Sequence, residues 1–203
     1  MKLVPETTKD FGFLKIFDLY TQTELENIWR EILYLDYVLN LTTDDDPLRG
    51  KQLDGSSKMS GEGLFVDHVY TNREYSPILT YNRRLFLDEE INKNIRSTHP
   101  ANDVLYKEIN RDFTLLNRYT NTQEYRPHTD KAAFTAITVL LHKPEQITGG
   151  DFIFPDYDIS FGCKHNSCII FPSWVKHSVC RVESIEDGRR YSIAQLMLVG
   201  EVL

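Results

Sequence analysis

The chain has 203 residues and a net charge of −7, from 23 Lys plus Arg against 30 Asp plus Glu. Hydrophobic residues at 41% and charged residues at 26% form an ordinary globular balance, which excludes a collagenous or wholly disordered chain. The acidic balance argues against a broad phosphate-binding surface. Cys163, Cys168 and Cys180 are too few and too oddly numbered for a disulfide framework, so a reducing compartment is expected.

In chain order, the run Phe11–Phe17 reads as a strand. Leu25, Ile28, Trp29, Ile32, Leu33 and Leu35 then recur at helical spacing, with Thr23 and Glu26 as a capping-box pair. Residues 40–74 are polar and rich in turn formers, which predicts a long mobile or functional loop around a short ordered piece at Gly63–Asp67. Residues Ile78 to Ile95 read as one helix with Leu79, Leu85, Phe86, Ile91 and Ile95 as its apolar stripe, followed by a short helix from about Asn102 to Ile109. From Asp112 onward the chain turns β-rich. Runs at 113–119, 134–141, 151–154, 167–171, 178–182 and 191–198 are separated by Pro, Gly and Asn. Short strands of this kind imply a sandwich or barrel, and helices followed by a β core give an α+β class. The segment Thr148-Gly149-Gly150-Asp151 by itself signals a hairpin.

Of six histidines, His128 stands out in His128-Thr129-Asp130. Residues i and i+2 of a strand share a face, so both could address one metal ion. His177, in a separate β run, could add a third ligand. Two histidines and one carboxylate with open positions make the facial arrangement of non-haem Fe(II) oxygenases. The competing readings are a strand-end histidine beside a carboxylate, and a histidine satisfied by ordinary hydrogen bonds. Gly188-Arg189-Arg190-Tyr191-Ser192 then leads into the last strand. A buried guanidinium near a metal can grip a dicarboxylate bidentately, and a hydroxyl two residues on points the same way. Its competing reading is a surface basic pair. Cys163, Cys168 and Cys180 lack zinc spacing. His142 and His165 read as solvated turn residues, Trp174 and Phe171 as pocket wall or core, and Asp44–Asp46 as a solvated loop.

The order Leu116-Asn117-Arg118-Tyr119, His128-x-Asp130, Gly149-Gly150-Asp151-Phe152, Phe171-Pro172-Ser173, His177 and Gly188-x-Arg190-Tyr191-Ser192 resembles the Fe(II)/2-oxoglutarate-dependent oxygenase superfamily, in its prolyl 4-hydroxylase-like branch. The resemblance covers about residues 112–199 and extends loosely to Ile16–Leu35. It implies a double-stranded β-helix (jelly-roll) core with flanking N-terminal helices. Residues 1–203 then form one domain: 1–111 hold the N-terminal strand, helices and a lid-like loop, and 112–203 the catalytic core. The resemblance makes His128, Asp130 and His177 the iron ligands. It gives Arg190, ahead of Arg189, to the distal carboxylate of 2-oxoglutarate, with Ser192 and Tyr119 in support. The 13-residue interval from His177 to Arg190 is longer than the branch suggests, and a turn at Glu183–Asp187 would absorb it.

The implied cofactors are Fe(II), 2-oxoglutarate and O₂, with ascorbate as a further candidate. The implied reaction is hydroxylation of a peptidyl proline, another amino-acid residue or a small molecule. Two other readings stand beside it. One is a nucleobase or nucleic-acid oxygenase on the same scaffold, disfavoured by the net charge and by the lack of a second arginine late in the last strand. The other is a catalytically inactive jelly-roll binding module. The start, MKLVPETTKD, has no apolar signal core, and no segment suits a membrane span. A soluble, cytoplasmic protein of bacterial or viral origin is expected.

Overall fold

The computed structural model describes residues 1–38 and 58–200. Strands β1 (Lys2–Thr7) and β2 (Gly12–Phe17) lead into helix α1 (Gln22–Val38), and β3 (Glu62–Phe65) follows. Four short helices come next: α2 (Pro77–Asn82), α3 (Arg84–Leu87), α4 (Glu89–Ser97) and α5 (Pro100–Lys107). The β-rich region supplies β4 (Arg111–Tyr119), β5 (Tyr125–His128), β6 (Phe134–His142), β7 (Ile147–Gly149), β8 (Phe152–Phe154) and β9 (Ile159–Phe161). It ends with β10 (Ser167–Pro172), β11 (His177–Val179), β12 (Val182–Ser184) and β13 (Arg189–Leu198).

Seven strands form a large antiparallel sheet in the order β1-β2-β10-β6-β13-β4-β3. Facing it is a four-stranded sheet, β5-β11-β8-β9, and β12 pairs with β7 apart from both. This is the jelly-roll core with helices on one side. Side-chain alternation divides the large sheet into two faces. Its outer face packs Ile16, Cys168, Ile170, Tyr191 and Ile193 against Ile28 and Ile32 of α1 and Leu79, Ile91 and Ile95 of α2 and α4. The inner face packs Ile137, Ile169, Phe171 and Ala194 against Phe152, Phe154 and Phe161 of the small sheet. Central strand β6 is therefore apolar on both sides and almost wholly buried.

Several expectations change in detail. α1 starts one residue before Thr23, and its capping pair is Thr21 with Glu24: the Thr21 amide donates to the Glu24 carboxylate at 2.8 Å and the Glu24 amide returns to Thr21 Oγ1 at 3.4 Å. Leu33 lies half exposed rather than in the apolar stripe. The expected single helix from Ile78 to Ile95 is broken into three. Asp88 is extended and caps a new start by accepting from the amides of Glu90 and Ile91. α4 ends at Ser97, just before Pro100, and Pro100 opens α5 two residues ahead of the expected Asn102. The run at 178–182 divides into β11 and β12. Gly149-Gly150 makes no hairpin, because β7 pairs with β12 while β8 pairs with β11. Most of the expected lid-like loop, with Asp44–Asp46, lies outside the described residues. Among the described residues, no helix is long and apolar enough to cross a membrane.

Candidate metal centre

His128 ends β5 and His177 begins β11, and the two residues are direct partners in the antiparallel register. Their rings approach to 4.3 Å between centroids. Asp130 lies just past the end of β5, so its place is set by more than strand alternation. Its amide donates to the Ser173 carbonyl at 3.0 Å, and its Oδ2 accepts from Thr135 Oγ1 at 2.7 Å. Thr135 in turn shares a 2.7 Å hydrogen bond with Ser173 Oγ. Sequence reading missed Thr135 as a support; a hydroxyl five residues past the carboxylate carries no motif.

The histidines are held in one tautomer. His128 Nδ1 lies 2.8 Å from the Arg126 carbonyl and His177 Nδ1 lies 2.9 Å from the Val175 carbonyl. A carbonyl only accepts, so each Nδ1 carries a proton and each ring turns its Nε2 the other way. Those Nε2 atoms stand 3.6 Å and 3.4 Å from the two Asp130 oxygens. The two Nε2 atoms and the Asp130 carboxylate thus converge, and the three residues' ligand atoms all lie within 4.8 Å of one another. Two imidazole nitrogens and one carboxylate meeting at one point form a donor set that fits a metal such as Fe(II). Burial, aided by the neighbouring His177, holds His128 down to about 4. Burial pulls the Asp130 carboxyl up, but His177, His128 and Thr135 together outweigh it and hold the carboxyl below its ordinary value. Tyr125 stacks on His128 at 3.7 Å.

The triad opens into a cavity of about 480 Å³ lined by Phe65, Leu115, Asn117, Tyr119, Ile137 and Phe152 among others, with Ser192, Ala194 and Leu196 from β13. Arg190 shares the inward face of β13 with Ser192 and pairs in register with Tyr119. It is wholly buried. Its Nε donates to the Gly150 carbonyl at 2.9 Å, and its guanidinium lies 5.1 Å from the Tyr119 ring centroid. Nη1 and Nη2 have no hydrogen-bond partner. Burial raises the Cys163 thiol, and the nearby Arg190 charge pulls it back. A buried guanidinium with two unpaired nitrogens is costly unless an anion meets it, which fits the distal carboxylate of 2-oxoglutarate.

Gly150 makes room for this arginine. Its φ is +70°, and a Cβ there would stand 2.9 Å from Arg190 Cδ and 3.1 Å from Val182 Cγ2. Arg189 points to the opposite face, where its Nη1 donates to Asp36 Oδ2 at 2.9 Å. The 13-residue interval is filled by β12 and the turn after it.

Other sequence readings are corrected here. Trp174 is 53% exposed, and packs on Phe11 rather than walling the pocket. His142 and His165 are half buried against Trp29, and His165 Nδ1 accepts the Leu141 amide. Cys168 is a core residue, whereas Cys180 lies just beyond β11 and is only half buried.

Residues 114–197 match the family model described as the 2OG-Fe(II) oxygenase superfamily. A prolyl 4-hydroxylase of Pseudomonas putida has the same fold, with a TM-score of 0.63 at 14% identity, covering 94% of each chain. A prolyl hydroxylase of Trichoplax adhaerens, solved with a hypoxia-inducible-factor peptide fragment, gives 0.61 at 12% identity over 92% of this chain and 83% of that one. The viral collagen prolyl hydroxylase of Paramecium bursaria Chlorella virus-1 gives 0.57 at 13% identity over 93% and 96%. No curated protein sequence matches significantly. The family is one of dioxygenases and implies Fe(II) and 2-oxoglutarate.

Proposed function

We propose that this chain, whose residues 114–197 match the model of the 2OG-Fe(II) oxygenase superfamily, hydroxylates an amino-acid residue of a peptide, proline first among the candidates. The observation that carries the reading is the convergence of His128 Nε2, Asp130 and His177 Nε2. In this reading those three residues hold Fe(II), Arg190 takes the distal carboxylate of 2-oxoglutarate, and Ser192 and Tyr119 line the same site. Bound there, iron supplies O₂ activation coupled to decarboxylation of the cosubstrate.

The chain's own residues do the rest. The Arg126 and Val175 carbonyls fix the ligand faces of the two histidines. Thr135 holds one carboxylate oxygen, which orients Asp130. Phe152, Val179, Ile137 and Leu196 line the cavity with apolar surface, which limits water around the reacting groups. The likeness to prolyl hydroxylases, one of them solved with a peptide, favours a peptidyl substrate.

The test adds Fe(II) and 2-oxoglutarate without oxygen and reads the visible charge-transfer band of the chelate. The band should appear in the parent and require much more 2-oxoglutarate in Arg190→Ala. Proline peptides should then gain one oxygen by mass spectrometry in air. A folded, iron-loaded protein without the band would overturn the iron and cosubstrate assignment.

A further inference from the structure

The cavity wall carries a charge pattern that runs against the chain as a whole. The protein is acidic, with a net charge of −7, yet among the described residues the only carboxylate lining the cavity is Asp130, and two lysines, Lys58 and Lys131, line it as well. Lys58 sits beside β5, where its carbonyl accepts the Arg126 amide at 2.8 Å. Its charge is near enough to press on His128. Lys131 follows Asp130 directly and is exposed. Among the described residues, neither lysine makes an ion pair, while nearby charges are already matched: Glu124 pairs with Arg126 and Glu62 with Arg118.

Charge matching within the site leaves the lysines over. With the iron reading above, the two charges of the metal are met by Asp130 and by the near carboxylate of 2-oxoglutarate, and Arg190 meets the far one. Lys58 and Lys131 then face the remaining space with no counter-charge among the described residues. Cations focused in a cleft attract and orient anionic partners, most strongly where the wider surface is repulsive. Resting on that reading of the site, we infer that the substrate is an acidic peptide segment, with carboxylate side chains within a few residues of the reacting residue that Lys58 and Lys131 receive.

The test uses three fluorescein-labelled peptides with one central proline and flanks that are acidic, neutral (Gln and Asn) or basic. Each is titrated against the full chain with Mn(II) and 2-oxoglutarate under nitrogen, and anisotropy gives Kd. The acidic peptide should bind about tenfold more tightly than the neutral one, equivalent to about 1.4 kcal/mol. That advantage should shrink in Lys58→Gln/Lys131→Gln and when NaCl is raised from about 50 mM to about 500 mM, because screening weakens it. Since Lys131 is exposed, Lys131→Glu gives a second test that spares the interior, and it should shift preference toward the basic peptide. Equal binding of acidic and neutral peptides, binding of none, or an acidic preference untouched in the lysine variants would overturn the inference. The anaerobic Fe(II)–2-oxoglutarate band separates the two levels. Its absence removes the iron reading and this inference with it; its presence without acidic preference removes this inference alone.

Discussion

Arg189 and Arg190 are neighbours in sequence, yet β13 sends them to opposite faces of the large sheet, into environments that treat a guanidinium in opposite ways. On the outer face, Arg189, Arg118 and the Tyr191 hydroxyl all donate to Asp36 of α1, and Arg118 also meets Glu62. Every charge there has a partner, so the cluster fastens helix to sheet. On the inner face, Arg190 is wholly buried, and two of its nitrogens have no partner. A matched charge braces a fold; an unmatched one in the interior destabilises it until a ligand arrives. The two faces of one strand therefore divide scaffold from site.

That contrast can be broken most directly at Arg190. Arg190→Met should weaken 2-oxoglutarate binding about 100-fold, or about 3 kcal/mol, as expected for a desolvated charge-assisted pair. Its melting temperature should hold or rise, since an uncompensated buried charge is gone. Anaerobic titration of the visible band and a thermal melt read the two effects. A lower melt with unchanged cosubstrate affinity would class Arg190 with its outward neighbour.

The opposite result belongs to Asp36. Asp36→Ala leaves Arg118, Arg189 and Tyr191 without their shared acceptor, and should cost about 3 kcal/mol. That is a melting decrease of about 6–12 °C for a chain of this size, with cosubstrate affinity within about twofold by the same titration.

On the inner face, pH gives a third test. His128 is held down to about 4 in the metal-free fold, mainly by burial, against about 6.5 in an unfolded chain. As pH falls from about 6.5 toward 4, the unfolded chain binds a proton that the folded chain refuses, so stability is lost in that window and is fully present above it. The loss by pH 5 should approach roughly 2 kcal/mol, and denaturant melts of His128→Asn should show a flatter profile. The smallest expected effect is at Thr135. Thr135→Val should weaken Mn(II) binding about tenfold by freeing Asp130, and Thr135→Ser should restore it.

Much of this was legible in the sequence because strand alternation is a strong constraint. His128, Asp130, His177, Arg190 and Ser192 were named from spacing and resemblance, and the fold brings them to one side of the core. The fate of Arg189 was not decidable, since only the position of Asp36 on a distant helix shows what holds it. The Thr21–Glu24 pair was missed because Thr23 and Glu26 offer the same pattern two residues later. Asp88 broke a helix whose apolar stripe continues unbroken. Lys58 sat in an unremarkable polar loop until its backbone pairing with β5 placed it beside His128.

The short ribbon of β7 and β12 has a consequence for detecting such chains. Its strands pair with each other and leave both larger sheets at Gly149-Gly150 and after Val179, with Val182 also tied to Thr122 and Gln123. Its length can therefore change without moving His177 at one end or Arg190 at the other. The gap between the last metal-side histidine and the cosubstrate-side arginine is slack in the tether, not a measure of the distance between two working parts. A pattern search that fixes that gap will pass over chains whose sites are assembled in the same way.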